Sequence, residues 1–505
     1  MTAAASAVST RFPEIDPATR YEHLIDGAAA ASSDARTLRC FDPYEEVEWG
    51  FVPLGSGADV DHAVRAARAA FPGWAATPVA ARAEVLRVLA NLIREHLEEL
   101  ARLQVHENGK TISEMRAVTQ MLPALADYVG QLAINNHGAT LEPTAPGHDA
   151  WTRPEPLGVV AAIAPWNNPL VLLAWKLFPA IAAGNTVVVK PSEVTPVSTL
   201  RLAQLARPAG VPAGVINVVM GGPSTGAALV HHPGIDKVAF TGSTGAGIQI
   251  AKAAAERVLP TTLELGGKGP QIVFPDADLS RAVPSLVGGL IAGTGQACNA
   301  GSRLLIHESV YDEVLTGLRA ALAKVVIGDP LDPSVQVGPL ASRPHYEKVT
   351  GYFAVADEEP TTTLLYGGRA GAGFVGSPTG LFVEPTVYAT PESTSRVRCE
   401  EIFGPIGALI TFASEKEAIA IANESAFGLV SGLWSQDVDR IARVSKSLRS
   451  GVVWVNTWRA FGVNVPFGGY KLSGIGRELG PDLIREYTET KAIWLGHAPQ
   501  SRHAP

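Results

Sequence analysis

Between Gly158 and Val258 the chain alternates short β-branched apolar runs with longer segments of helical spacing, and that rhythm admits few folds. Residues 158–164 form an apolar run closed by Pro165, the pattern of a buried strand. Residues 170–183 read as a helix stopped by Gly184 and Asn185. A second β-branched run, 186–189, ends at Lys190 and Pro191; a helix over about 196–209 leads to a strand at 215–219. A helix near 225–231 then precedes a strand at 237–240, a Thr-Gly-Ser-Thr-Gly loop ending at Gly245, and a helix over 248–258. Strand, helix and strand at this spacing mean βαβ units and a parallel sheet. Right-handed crossovers place the loops after the strands along one edge, where such sheets bind ligands.

Past Gly266 the pattern restarts with a strand at 271–274 and a helix over 279–291, and continues to about Trp454. The expectation is α/β with two parallel-sheet domains, since a chain of 505 residues exceeds one hydrophobic core. Upstream, Asp59 is expected to cap a helix carrying Val60, Ala63, Val64 and Ala67, and a second amphipathic helix follows Pro78. Residues 138–156 and 484–497 fit neither sheet. Apolar strands without a local partner often pair across a subunit interface, which predicts a homodimer or homotetramer.

A net charge of −8, with no Lys/Arg-rich stretch, argues against nucleic acid. Three cysteines, Cys40, Cys298 and Cys399, with no C-x-x-C pair, disfavour a disulfide framework and a metal site. The polar stretch 1–16 lacks the core of a secretory signal, and the longest apolar run, 170–183, contains Lys176 and is too short for a bilayer. A reduced, soluble, cytoplasmic protein without a membrane span is expected.

Four segments carry chemistry. In Gly-Gln-Ala-Cys298-Asn-Ala-Gly, small residues surround a thiol that is either a buried small hydrophobe or a nucleophile; a nucleophile calls for an accessible, lowered-pKa setting. Glu264, at the end of an apolar strand before Gly266-Gly267-Lys268, is either paired with Lys268 or a general base whose pKa is raised by its apolar setting. Pro165-Trp166-Asn167-Asn168-Pro169 is a turn, and one stiff enough to hold an amide donor at a developing oxyanion. Lys190-Pro-Ser-Glu193 and the loop from Phe240 to Gly245 each lie where a strand gives way to a helix; Gly242 and Gly245 admit a diphosphate to the helix N-terminus. No G-x-G-x-x-G follows the first strand, so the ordinary dinucleotide fingerprint is absent.

Residues 163–193, 240–247, 263–268, 295–303, 400–406 and 466–480 resemble, in order and spacing, the signature segments of the aldehyde dehydrogenase superfamily, and the resemblance runs from about residue 25 to 497. Glu400-Glu-Ile-Phe-Gly-Pro405 and Pro466-Phe-Gly-Gly-Tyr-Lys-Leu-Ser-Gly474 are its most specific parts. The resemblance implies a dinucleotide-binding domain over 1–137 and 157–266 with 473–483, a catalytic domain over 267–472, and a small β oligomerisation arm over 138–156 and 484–500. It implies Cys298 as nucleophile, Glu264 as the base that activates water, and Asn167 with the Cys298 backbone N–H as oxyanion hole. Lys190 and Glu193 match residues that hold the adenosine ribose, Trp166 and Ser243 those at the diphosphate, and Glu401 and Phe403 those at the nicotinamide ribose and ring. Ala164, Pro165, Ser192, Gly222, Thr241, Gly242, Gly247 and Leu265 complete the implied cofactor site. Asn168, Val171, Trp175, Ala297, Asn299, Arg459, Phe461 and Phe467 match the aldehyde channel.

These roles imply oxidation of an aldehyde to a carboxylic acid through a thiohemiacetal and a thioester on Cys298, with hydrolysis favoured over transfer to coenzyme A because Glu264 is present. A carboxylate at Glu193 accepts from two ribose hydroxyls and repels a 2′-phosphate, so NAD is expected over NADP. Asn168 and Asn299 make the channel polar. Arg459 either recognises a carboxylate or hydroxyl on a semialdehyde or pairs with an acidic residue at a subunit interface. Cys399 is read as a small core residue or an oxidation-sensitive neighbour of the Glu401 segment. A thiol esterase and a non-catalytic protein on the same fold are the rivals; the nucleotide-site residues speak against the first, and the presence of Cys298, Glu264 and Asn167 together against the second.

Overall fold

The computed structural model describes residues 11–12 and 18–497, so most of the polar 1–16 stretch and residues 498–500 lie outside the described residues. Five strands form the parallel heart of the first sheet, in the order Ile216–Val218, Thr186–Lys190, Val159–Ile163, Lys237–Thr241, Thr261–Glu264. Every residue of Val159–Ile163, Thr186–Lys190 and Lys237–Thr241 is buried, which is why these runs are continuous rather than alternating. Antiparallel strands cover both edges: His23–Ile25 with Ala28–Ala30 on one side, Gly474–Ile475 on the other. The seven-stranded second sheet has the order Thr363–Tyr366, Thr386–Ala389, Ile406–Phe412, Arg303–His307, Pro270–Val273, Val430–Trp434, Val452–Val455, and only its first pair is antiparallel.

The helix Pro169–Ala183 is buried along its entire length, packed between the sheet and the helices Val79–Glu95 and Met121–Ile134. Gly184 closes it at φ 100°, a left-handed position that glycine adopts without strain. Asn185 then ties three segments together, accepting from Gly158 N–H at 2.9 Å and donating to the Tyr487 carbonyl at 2.9 Å.

The two unassigned stretches find each other. His148–Pro156 and Thr488–Gly496 pair antiparallel over nine residues, with Thr140–Leu141 on the far side of His148–Pro156, so their missing partner is supplied within the chain. The outer edge is Thr488–Gly496, where Trp494 and Leu495 are exposed. Elsewhere the local reading of a cap is corrected. Ser56, not Asp59, caps the helix Gly57–Ala76; Asp59 occupies the third position and accepts from the Ser56 N–H at 2.7 Å, a reciprocal capping box. Cys399 is exposed rather than core, because it ends the short surface helix Arg396–Cys399, and its sulfur donates to the Ser393 carbonyl at 3.0 Å.

Candidate active site

Val159–Ile163 has Thr186–Lys190 on one side and Lys237–Thr241 on the other. The chain leaves it in one direction and later returns to the opposite side, so the loops after Val159–Ile163 and Lys237–Thr241 diverge at a topological switch point, where a crevice must open. The first of these loops holds Trp166 and the buried Asn167, directly before the N-terminus of Pro169–Ala183. Asn108 Nδ2 donates to the Trp166 carbonyl at 3.2 Å, and Asn167 Nδ2 donates to the Gln296 carbonyl at 3.0 Å. That second bond joins the first sheet's loop to the loop carrying Cys298.

The Cys298 loop owes its shape to three consecutive left-handed residues, Gly293 (φ 60°), Thr294 (φ 59°) and Gly295 (φ 70°). A Cβ on Gly295 would lie 2.3 Å from the Gly404 carbonyl, so this turn packs backbone to backbone against the segment 400–405. Thr294, a β-branched residue where such a φ is costly, is held by its hydroxyl's bond to the Gly338 carbonyl at 3.1 Å. Gln296, fully buried, accepts from Ala341 N–H at 2.9 Å and donates to the Gly293 carbonyl at 3.1 Å. The far side is equally tight: a Cβ on Gly267 would lie 2.2 Å from the Cys298 carbonyl oxygen.

Cys298 as a residue is partly exposed. Burial, with Glu401 and Glu264 nearby, pushes its pKa up to about 12, against the pull of Arg459 and of the Asn299 backbone N–H on the sulfur. The lowered-pKa setting expected for Cys298 is therefore absent here, because two carboxylates and a dehydrated loop outweigh one guanidinium and one amide.

Glu264 ends the strand Thr261–Glu264 and is buried, and neither carboxylate oxygen has a hydrogen-bond partner. It does not pair with Lys268, whose buried ammonium is also without a partner and is pulled down to about 7 by burial and by Arg303. Burial, reinforced by Glu478, raises the Glu264 pKa well above the ordinary carboxylate value, against Lys176 and Arg477. Lys176 reaches Glu478 across 302 residues of sequence and also donates to the Thr241 hydroxyl at 2.5 Å. Lys176 and Glu478 both lie in segments that the sequence marked, 163–193 and 466–480, but neither was assigned a role.

Two cavities meet at Cys298 and Asn167, which line both. The smaller, about 230 Å³, is bounded by Pro165, Trp166, Thr241, Gly242, Ser243, Leu265, Glu401 and Phe403 among the residues expected to hold a cofactor. Ser243 caps the helix Thr244–Ala255, so backbone N–H groups and the positive helix end open beside this space, and Gly245 has no atom within 4 Å of where a Cβ would stand. Glu401 is folded back onto the wall, accepting from Gly267 N–H at 2.8 Å, and a Cβ on Gly266 would lie 2.2 Å from its carboxylate. Burial raises its pKa. The donors, the helix end and the glycine-lined floor fit a dinucleotide.

The remaining cofactor candidates stand outside this cavity. Lys190 pairs with Glu193 at 3.5 Å; Gly222 precedes the helix Pro223–His231; Gly247 packs on Leu265, where a Cβ would meet a methyl carbon at 2.4 Å. Ala164 donates its N–H to the Lys190 carbonyl at 3.1 Å, and Ser192 accepts from Val194 N–H at 3.2 Å. The cavity also takes in residues that the sequence did not single out. His345 and Lys348, on Arg343–Glu358, line it; His345 packs edge-on to Trp166 and Phe403 with centroids 4.9 and 5.9 Å away, and its Nε2 meets the Phe403 carbonyl at 2.7 Å.

The larger cavity, about 640 Å³, contains every residue expected in the aldehyde channel: Asn168, Val171, Trp175, Ala297, Asn299, Arg459, Phe461 and Phe467. Arg459 pairs with Glu114 of the same chain at 3.5 Å. Lys110, unmarked in sequence, approaches Glu114 at 3.7 Å and donates to Asn168 Oδ1 at 3.2 Å. Among the described residues there is no cluster able to hold a metal ion, and no helix is long and apolar enough to cross a membrane.

Comparison with known proteins agrees with this architecture. The profile of the Aldehyde dehydrogenase family matches residues 30–493. A hydroxyisobutyraldehyde dehydrogenase of Mycolicibacterium austroafricanum is 42% identical over 455 residues, covering 89% of this chain and 88% of that protein. Among solved structures, an NAD-dependent aldehyde dehydrogenase from Sinorhizobium meliloti superposes with a TM-score of 0.93 at 36% identity, covering 99% of this chain and 98% of that one. Betaine aldehyde dehydrogenase from Staphylococcus aureus in complex with NAD+ gives 0.92 at 37% identity, over 95% and 96% of the two chains.

Proposed function

The chain belongs to the aldehyde dehydrogenase family, and from that premise we propose that it oxidises an aldehyde to a carboxylic acid with NAD+ through covalent intermediates on Cys298. The observation that carries this reading is that Cys298 and Asn167 each line both cavities, so an aldehyde in the larger one presents its carbonyl carbon at the wall of the smaller.

Cys298 Sγ, as thiolate, adds to the aldehyde carbon, and the C=O pair moves onto oxygen. Asn167 Nδ2 spends one N–H on Gln296 and keeps a second for that oxyanion, beside the Cys298 backbone N–H. As the oxyanion reforms the carbonyl, the C–H bond breaks with its electron pair and leaves a thioester on Cys298. NAD+, when bound along Trp166, Ser243 and Glu401, supplies the hydride acceptor and a cationic ring. Glu264 then takes a proton from water, hydroxide adds to the thioester, and the sulfur departs as the acid forms. An orphaned carboxylate whose affinity for protons is raised by burial suits that task.

Glu264→Gln tests the assignment. The expected result is a single-turnover burst of NADH with steady-state turnover down roughly 100-fold or more. Wild-type kcat rises with pH as Glu264 loses its proton, displaced upward from the ordinary carboxylate range, and the variant lacks that limb. Unchanged turnover overturns the role.

Glu193 at the edge of the cofactor path is a reason to expect NAD+ over NADP+. The first sheet with its helices serves as the dinucleotide-binding domain, the second as the catalytic domain, and the three-stranded sheet as an oligomerisation arm whose exposed Trp494 and Leu495 pair copies of the chain. A sedimentation coefficient of a monomer at micromolar concentration removes the last of these. The polar groups among Val171, Trp175, Phe461 and Phe467 support an aldehyde carrying a hydroxyl or carboxylate substituent, and the hydroxyisobutyraldehyde dehydrogenase relative speaks for the hydroxyl.

A further inference from the structure

We propose that Asn299 selects the substrate by accepting a hydrogen bond from a hydroxyl close to the aldehyde carbon, so that short hydroxyaldehydes are preferred over alkyl and carboxylated ones. This rests on the reading that the larger cavity receives the aldehyde captured by Cys298.

Asn299 follows the nucleophile directly, and its backbone N–H lies on the Cys298 sulfur. Its side chain borders the same cavity at 7% exposure, and its Oδ1 is buried without a hydrogen-bond partner. A buried carbonyl oxygen left open is unfavourable unless a ligand or water completes it.

Trp458 Nε1 on the same wall is also buried without a partner, but it is a donor and accepts nothing from a hydroxyl. Asn168 Oδ1 accepts from Lys110, while Lys110 and Arg459 both face Glu114. A carboxylate on the substrate can accept from Trp458 Nε1, but it must sit in the cavity that Glu114 also lines, and it brings no proton for Asn299. An alkyl chain brings none either. A hydroxyl donates to Asn299 Oδ1 and leaves the Lys110–Glu114–Arg459 array intact. Because Asn299 is the next residue after Cys298, and neighbouring Cα atoms stand ~3.8 Å apart, the hydroxyl must sit within a few bonds of the carbonyl carbon.

The test measures kcat and KM of the full chain with saturating NAD+ on 3-hydroxypropanal, propanal and succinic semialdehyde, for wild type, Asn299→Leu and Asn299→Ser. Wild type is expected to favour 3-hydroxypropanal over propanal by about tenfold or more in kcat/KM, chiefly through KM. The preference falls to about one in Asn299→Leu and returns in part in Asn299→Ser. A wild-type ratio near one overturns the proposal, and does so even if the variants fail to fold. So does a ratio that survives in a folded Asn299→Leu, or a preference for succinic semialdehyde over both. Cys298→Ala run alongside separates the premises: turnover retained by that variant refutes the covalent reading, whatever the ratio.

Discussion

The two cavities that share Cys298 are built differently. The smaller opens where parallel strands end, at the loops after Val159–Ile163 and Lys237–Thr241 and the Leu265–Gly266 turn after Thr261–Glu264, and is closed by Trp166, His345, Lys348, Glu401 and Phe403. The larger is walled by side chains from well-separated segments, among them Glu114, Trp175, Asn299, Arg459 and Phe467. Peptide groups and helix ends recognise what is common to every turnover, whereas side chains can be exchanged without moving a strand. The contrast separates the chemistry from the selectivity.

The largest effect is expected where the cavities join. Cys298→Ala should lower aldehyde oxidation by more than about a thousandfold while leaving NAD+ binding measurable by fluorescence titration. Asn167→Ala removes an oxyanion donor and should lower kcat by about 100- to 1000-fold, with aldehyde KM changed far less; steady-state kinetics decide it. On the cofactor side alone, Gly266→Ala drives a methyl group into the Glu401 carboxylate and should raise KM for NAD+ by about tenfold, roughly 1.4 kcal/mol, with little effect on KM for the aldehyde. An equal rise in both would erase the distinction drawn here. The smallest change belongs to Glu193→Gln, which should narrow the NAD+ to NADP+ specificity ratio several-fold by removing repulsion of a 2′-phosphate, a screened effect at a half-exposed side chain.

How much of this could be read in advance follows from the same division. The alternation over 158–258 predicted the helix at Pro169–Ala183 and the strands at Thr186–Lys190 and Lys237–Thr241 to within a residue or two, because period and stop signals are local. The cap at Ser56 was misassigned to Asp59 because both residue types suit the position, and only the reciprocal bonds tell which one stands first. His345 and Lys348 left no trace, since a helix of ordinary composition carries them to the crevice from far along the chain. Lys176 counted in the sequence only against a membrane span, and its partner Glu478 lies 302 residues away.

Order along the chain was enough to determine the parallel sheets, the edge where their loops gather, and the residue types that could act there, because hydrophobic period and loop composition are properties of neighbours in sequence. Tertiary structure alone decided that Glu264 stays unpaired, that the Cys298 thiol is pushed up rather than down, and that Arg459 meets Glu114 within its own chain. Those outcomes depend on burial and on charges brought together across the fold, and neither quantity exists until the chain has closed on itself.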